Sequence, residues 1–133
     1  LVDVQERLGA ALILIGHDIG LQAQVVHRQA VMYASKIAEI GDVQAMYAHP
    51  LHPYTQLLIK SLPNLEERKD FQGIPGLPPS LLDPPAGCVF YPRCPYVMDR
   101  CREVVPELFE VRPKHLTACH LYPSLQETLN HRG

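Results

Sequence analysis

Proline is absent from the first part of this sequence and abundant in the rest. Residues 1–49 contain none, and all 13 prolines lie from Pro50 onward. Proline lacks a backbone N–H and clashes with the preceding turn, so it interrupts helices and sheets. We therefore expect regular secondary structure in the first part. Residues 73–95, with seven prolines, are expected to contain no helix or long strand.

An excess of one charge and a long apolar run are also missing. The 133 residues carry 12 basic and 14 acidic side chains, a balance that argues against a dedicated nucleic-acid binder. No apolar run approaches the roughly 18 residues of a membrane-spanning helix. The sequence opens Leu-Val-Asp, with neither an initiator methionine nor the basic start of a secretory signal. These features predict a piece of a longer protein without a signal peptide or a transmembrane segment.

The composition divides the chain into two predicted parts and a linker. Residues 1–63 have the pattern of α/β structure, and the charged run within residues 64–73 predicts a solvated linker. Residues 74–133 hold all four cysteines and predict a small irregular module. Because the first part has a single central strand, we expect the other strands of its sheet to lie before residue 1.

Apolar runs and turn residues predict the elements of the first part. The continuous apolar run Ala10–Ile15 is typical of a strand that is buried on both faces. Ala34-Ser35 predicts the turn of a β-hairpin between strands Gln29–Tyr33 and Lys36–Ile40. The remaining elements are predicted helices, which are Val2–Leu8, a segment from Asp18 to about Val26, Val43–Tyr47 and Tyr54–Leu62.

His17 follows the predicted buried strand directly. In open α/β sheets, ligands bind at the C-terminal ends of the strands. An imidazole in this position can donate a hydrogen bond to a phosphate oxygen. From the residues alone, a structural or incidental histidine is the favoured interpretation.

The cysteines have the spacing C-x5-C-x6-C-x17-C, at Cys88, Cys94, Cys101 and Cys119. Thiolates are soft ligands, and four of them suit an iron–sulfur cluster or a zinc ion. Zinc sites usually contain a C-x2–4-C pair, which this sequence lacks. Two disulfides, which are rare in the cytosol, and four unrelated buried cysteines are the other interpretations. The spacing leaves these alternatives open.

Several stretches together resemble the ABC ATPases of peptide importers. Residues 12–19, LILIGHDI, are similar to the switch-histidine loop, in which an apolar strand leads into Thr-His-Asp. The hairpin VMYASKIAEIGD and the later His52-Pro53-Tyr54-Thr55 are similar to the segment that follows that loop in oligopeptide and dipeptide importers. The stretch GCVFYPRCP resembles the start of their cysteine tail. The resemblance covers about Leu1 to Pro123.

The resemblance implies a role for His17 in the hydrolysis of ATP. The histidine of the family contacts the γ-phosphate and helps to position the attacking water, and the aspartate after it, here Asp18, caps the following helix. This sequence departs from the family pattern in three places, since Gly16 replaces a usual Thr, His27 a common Asp and Ser35 a usual Gly.

The resemblance also implies a cofactor and partners. It implies a [4Fe–4S] cluster, with zinc as the alternative, held by Cys88, Cys94, Cys101 and Cys119. It implies a subunit that works with a second ATPase subunit and with membrane permease subunits, in the cytoplasm on the inner face of the cell membrane. ATP and Mg²⁺ are expected to bind only in the complete subunit.

Motifs that an ATPase needs are missing from these residues. There is no G-x-x-x-x-G-K-[ST] loop, no Leu-Ser-Gly-Gly-Gln signature and no apolar strand ending in Asp-Glu. Phosphoryl transfer depends on such groups for positioning and charge neutralisation. We therefore expect the chain alone not to hydrolyse ATP. Separately, we expect it to self-associate, because an incomplete sheet exposes strand edges. The alternative function is a free-standing iron–sulfur or zinc module with a redox or regulatory role.

Overall fold

The computed structural model describes residues 2–62 and 73–123. Helix α1, Val2–Leu8, begins the described chain and is followed by Gly9, whose φ of 59° is the left-handed conformation that often ends a helix. The predicted first helix is therefore confirmed. No residue of α1 is buried.

The prediction of a buried strand at Ala10–Ile15 is wrong. These residues belong to no strand, and the side chains of Ile13 and Ile15 are 87% and 92% exposed. A strand that is apolar on both faces is stable only between neighbouring strands and covering helices. The described residues supply no such neighbours for this segment, which therefore lies exposed and outside regular secondary structure.

The hairpin is confirmed. Strand β1, Arg28–Tyr33, pairs antiparallel with β2, Lys36–Asp42. The two turn residues Ala34 and Ser35 have φ values of 45° and 64°, the pair of left-handed conformations that a two-residue hairpin turn requires. Every second side chain of β1 is buried, which is the period expected of a strand with one solvated face.

Three helices accompany the hairpin. Helix α2, Ile19–Ala23, is shorter than predicted, whereas α3, Val43–Ala48, and α4, Pro53–Lys60, lie close to their predicted positions. The apolar core of this half consists of three buried side chains with partly buried neighbours from α3, from α4 and from the turn after α4. The three buried residues are Ile19, Val31 and Met46.

The proline-rich half has little regular structure, as its composition predicts. A single 3-10 turn at Tyr91–Arg93 and the short helix α5, Arg100–Glu103, are its only helical elements in the described ranges. Two strands follow, β3 at Phe109–Arg112 and β4 at His115–Thr117. Neither strand is predicted by the sequence pattern.

The four strands form one antiparallel sheet in the order β1-β2-β4-β3. Strand β4 pairs with β2 through Glu39 opposite Thr117 and Ile40 opposite Leu116. The α/β class is confirmed, but a Cys-rich module that is separate from the sheet is not. The boundaries 1–63, 64–73 and 74–133 stay a prediction, because nearly all of the predicted linker lies outside the described residues, as does the whole chain after Pro123.

Glu39 lies at the centre of the contact between the two halves, with a fully buried side chain. Its Oε1 accepts hydrogen bonds from the Leu51 amide at 2.9 Å and from Nε2 of His115 at 2.6 Å. Its Oε2 accepts from the His52 amide at 2.9 Å. A buried carboxylate is tolerable only when such donors replace its hydration. The hairpin, the start of α4 and strand β4 are thus bound to one carboxylate.

An aromatic cluster continues the contact between the halves. The ring of Phe90, 1% exposed, lies 5.1 Å from the ring of Tyr33 and 5.4 Å from that of Tyr54, centroid to centroid. The guanidinium of Arg93 lies over the Tyr33 ring and donates to the Tyr33 hydroxyl and to the carbonyl oxygens of Ile74 and Pro75. Arg93 therefore attaches the proline-rich chain to the hairpin.

Membrane insertion has no candidate among the described helices. None within residues 2–62 and 73–123 is both long enough and apolar enough to span a bilayer.

Candidate functional site: the His17 loop and the cysteine segment

His17 lies in the loop between the exposed segment Ala10–Ile15 and helix α2, and it is itself exposed. The next residue, Asp18, is the N-cap of α2, and its Oδ1 accepts a hydrogen bond from the Leu21 amide at 2.8 Å. This capping confirms the predicted helix start, because aspartate satisfies one of the free N–H groups of a first turn. The cap fixes the backbone immediately after His17.

Helix α2 is attached to the rest of the fold through its first residue. The carbonyl oxygen of Ile19 accepts a hydrogen bond of 2.8 Å from the hydroxyl of Tyr47, in α3. Burial, assisted by the negative charge of Asp18, raises the pKa of Tyr47, so this hydroxyl keeps its proton and remains a donor. The loop that carries His17 is therefore positioned by helix α3 as well as by the hairpin.

A groove of about 890 Å³ lies beside this loop. Its lining includes the segment from Leu12 to His17 and also β1 with the residues before it. Apolar side chains dominate the lining, and the polar members are Gln5, His17, Gln22, His27, Arg28, Gln29 and Tyr54. Apolar walls with a few polar groups are typical of ligand sites.

The departures from the family pattern have local consequences. Arg28 is preceded by His27 and not by the aspartate common in the family. Its Nε lies 3.9 Å from Oδ1 of Asp42 on the paired strand. Both side chains are half exposed, so this ion pair contributes little to stability. Ser35 occupies a left-handed position that favours glycine, so the hairpin turn carries some backbone strain.

The cysteines lie near one another but remain free thiols. The Cys88 amide donates to the Cys101 carbonyl oxygen at 2.8 Å, which brings the 3-10 turn against α5. Burial raises the pKa of Cys88 and Cys94 and raises that of Cys119 to about 12, and nearby thiols contribute in the same direction. These three thiols are therefore protonated at neutral pH.

The predictions of a [4Fe–4S] cluster and of zinc are wrong. Within residues 2–62 and 73–123, no three His, Cys, Asp or Glu side chains are grouped so that they could hold a metal ion. The spacing of the cysteines along the chain does not determine whether their sulfur atoms come together in the fold. The alternative function as a free-standing metal module loses its basis as well.

Gly87 allows the close approach of the cysteine segment to α5. A Cβ at this position would lie 2.3 Å from the Cys101 carbonyl oxygen and 2.7 Å from the carbonyl carbon of Arg102. Both are backbone atoms, which cannot rotate away. We expect Gly87→Ala to lower the free energy of unfolding by about 2 kcal/mol, since it forces the two segments apart. Urea denaturation measures the change, and Gly73→Ala, where a Cβ would meet no atom, is the control.

The buried group of Glu39, His115 and His52 did not emerge from the sequence. These residues lie in β2, in β4 and before α4, and each is at most 3% exposed. A charged residue within the hairpin and histidines at distant positions have no shared spacing that would indicate contact. The one sequence feature that could have indicated this buried group is Glu39, because a carboxylate on the inward face of a strand needs buried hydrogen-bond donors.

Comparisons with known proteins agree on one group of relatives. Residues 38–101 match the model of a family described as the C-terminal region of oligopeptide/dipeptide transporters. An ATP-binding protein of Brucella abortus (strain 2308), named for peptide import, is 44% identical over 122 residues, which are 92% of this chain and 36% of that protein. The dipeptide transport ATP-binding protein DppD of Escherichia coli (strain K12) is 41% identical over 124 residues, 92% of this chain and 38% of the relative.

Proposed function

This chain belongs to the oligopeptide/dipeptide transporter C-terminal region family, and we propose that it forms part of the ATP-binding subunit of a peptide importer. The observation that carries the proposal is the similarity over 92% of the chain to proteins named as ATP-binding components of peptide and dipeptide transport. The chain spans little more than a third of the length of these relatives. The transport activity is therefore proposed for a longer protein that contains this segment.

Within that protein, His17 is the proposed contact to the γ-phosphate of ATP. Its exposure leaves the imidazole accessible to a ligand, and the Asp18 cap holds the adjacent backbone. An imidazole can donate one hydrogen bond to a phosphate oxygen and assist in orienting the attacking water. The groove beside the loop has the apolar walls onto which further parts of the ATP-binding subunit are proposed to pack.

The proposed partners follow from the same assignment. An ATP-binding subunit of an importer acts on membrane permease subunits, and a second ATPase subunit is proposed to complete the motor. The proposed location is the cytoplasmic face of the membrane. Alone, the chain is expected to hydrolyse no ATP, because residues 1–133 contain no phosphate-binding loop. Association of the isolated chain with itself stays a prediction.

The test is ATP hydrolysis by the assembled importer whose ATP-binding subunit contains this chain. His17→Ala is expected to lower kcat by about 100-fold, the size of the loss when one transition-state hydrogen bond is removed. His49→Ala, an exposed histidine before α4, is the matched control and is expected to hydrolyse ATP at the unmodified rate. A His17→Ala importer as active as the control contradicts the proposed role.

A further inference from the structure

The position of His17 depends on its neighbours in the chain. Its side chain is exposed, so packing around the imidazole does little to fix it. Asp18 is held by its hydrogen bond to the Leu21 amide. Gly16 has no side chain with which to anchor the backbone on the other side, and glycine has the largest conformational freedom of any residue. Something else must hold the loop before His17.

The side chain of Gln22 occupies the space beside Gly16. A Cβ at Gly16 would lie 2.8 Å from Nε2 of Gln22, so the carboxamide fills the volume that any side chain at position 16 would need. Gln22 lies in α2 and is half-buried. Its backbone N–H donates a hydrogen bond to the carbonyl oxygen of Asp18 at 3.1 Å. The Gln22 carboxamide thus packs directly on the backbone before His17.

The same carboxamide is connected to the sheet. Oε1 of Gln22 accepts a hydrogen bond of 3.3 Å from Nε2 of Gln29, in β1. Gln29 is 7% exposed, and its Nε2 also lies 3.5 Å from the Ile19 carbonyl oxygen, at the start of α2. Because Gln29 is buried in a paired strand, its side chain provides a fixed point for Gln22. The contacts form a continuous path from β1 through Gln22 to Gly16.

We propose that Gln22 is a positioning residue for His17, holding the Gly16 backbone against strand β1 so that the imidazole stays aimed at the γ-phosphate. The inference rests on the proposed function for the role of His17, but the packing of Gln22 on Gly16 does not. A donor that acts on a phosphoryl group must be placed within a fraction of an ångström, so loosening of a neighbouring backbone lowers the rate without removing the donor.

The first test uses the 133-residue chain and needs no nucleotide. Gln22→Met keeps the length of the side chain but removes the oxygen that accepts from Gln29. Backbone 15N relaxation is expected to show the order parameters of Gly16 and His17 falling from about 0.85 to below 0.6. The matched control is Gln24→Met, at the exposed end of the same helix, which is expected to leave both values unchanged. Unchanged order parameters in Gln22→Met overturn the proposal.

The second test measures ATP hydrolysis by the assembled importer. Gln22→Met is expected to lower kcat about tenfold with KM for ATP unchanged, because the donor remains but is less well placed. Combined with His17→Ala, it is expected to cause no further loss, since there is no longer an imidazole to position. A merely structural role would lower the rate by the same factor in both backgrounds.

The outcomes separate the two proposals. If His17→Ala is slow and Gln22→Met is as fast as Gln24→Met, the positioning role is overturned and the proposed function stands. If the losses of the two variants multiply, Gln22 acts independently of His17, and the positioning role is again overturned. If His17→Ala hydrolyses ATP at the normal rate, both the proposed role of His17 and the positioning role fail.

Discussion

Glu39→Gln is expected to lower the free energy of unfolding by about 3–5 kcal/mol. The carboxylate accepts three hydrogen bonds, two at Oε1 and one at Oε2. A carboxamide has a single acceptor oxygen, so its NH2 group would face at least one of the donors on Leu51, His52 or His115. The side chain is fully buried, and water cannot replace the lost acceptor.

The control variant makes the same carboxylate-to-carboxamide change at an exposed position. Glu107→Gln replaces an exposed carboxylate with a carboxamide and is expected to alter the free energy of unfolding by less than about 0.5 kcal/mol. Both variants are measured by urea denaturation at pH 7. If the loss for Glu39→Gln is as small as that for Glu107→Gln, the buried group does not hold the two halves of the fold together.

Local patterns predicted the elements that local interactions determine. The left-handed pair Ala34-Ser35 defines the hairpin, the Asp18 cap starts α2, and proline at the first position starts α4. Each of these features depends on a few consecutive residues. For that reason the sequence alone was sufficient to place them.

Non-local interactions determine what the sequence did not predict. The pairing of β2 with β4 joins residues almost 80 positions apart, Glu39 with Thr117, and the side-chain contact of Glu39 with His115 is similarly distant in the sequence. Strands β3 and β4 are only four and three residues long, too short for a clear alternating pattern. The apolar run Ala10–Ile15 has the composition of a buried strand, but its burial requires neighbours that the described residues do not provide.

In the candidate site, too, local sequence patterns predicted some features and tertiary packing determined the others. The resemblance located His17 and Asp18, because a loop motif is a local pattern. The environment of the loop, in which Gln22 and Gln29 connect it to β1, depends on tertiary packing and could not be derived from spacing. The cysteines show the opposite error, since their spacing along the chain predicts a metal site that the described residues do not form.

The motif His52-Pro53-Tyr54 served in the sequence only as a family marker, and the structure gives it a physical role. His52 is the N-cap of α4, and its Nδ1 accepts a hydrogen bond from the Tyr54 amide at 3.0 Å. Pro53 fits the first position of the helix, where no N–H is needed. Because Nδ1 must stay unprotonated to act as acceptor, the cap works only with a neutral imidazole.

The stability of the fold is therefore expected to depend on the titration of His52. Burial lowers the pKa of His52 from 6.5 to about 4, against a smaller raising effect of a hydrogen bond to the backbone of Ala118. Between pH 6.5 and 4 the unfolded chain binds a proton at this site that the folded chain does not. Stability should consequently decrease as the pH falls through this window, by about 3 kcal/mol in total.

His52→Asn isolates this contribution from the other groups that titrate. Asparagine can cap the helix by accepting from the Tyr54 amide but carries no titrating group. Urea denaturation between pH 7 and 4 should therefore show a shallower decline of stability in this variant than in the unmodified chain. His49→Asn, which removes an exposed histidine, should retain the full decline. An equally steep decline in His52→Asn would mean that other groups, and not the buried cap, cause the acid sensitivity of the fold.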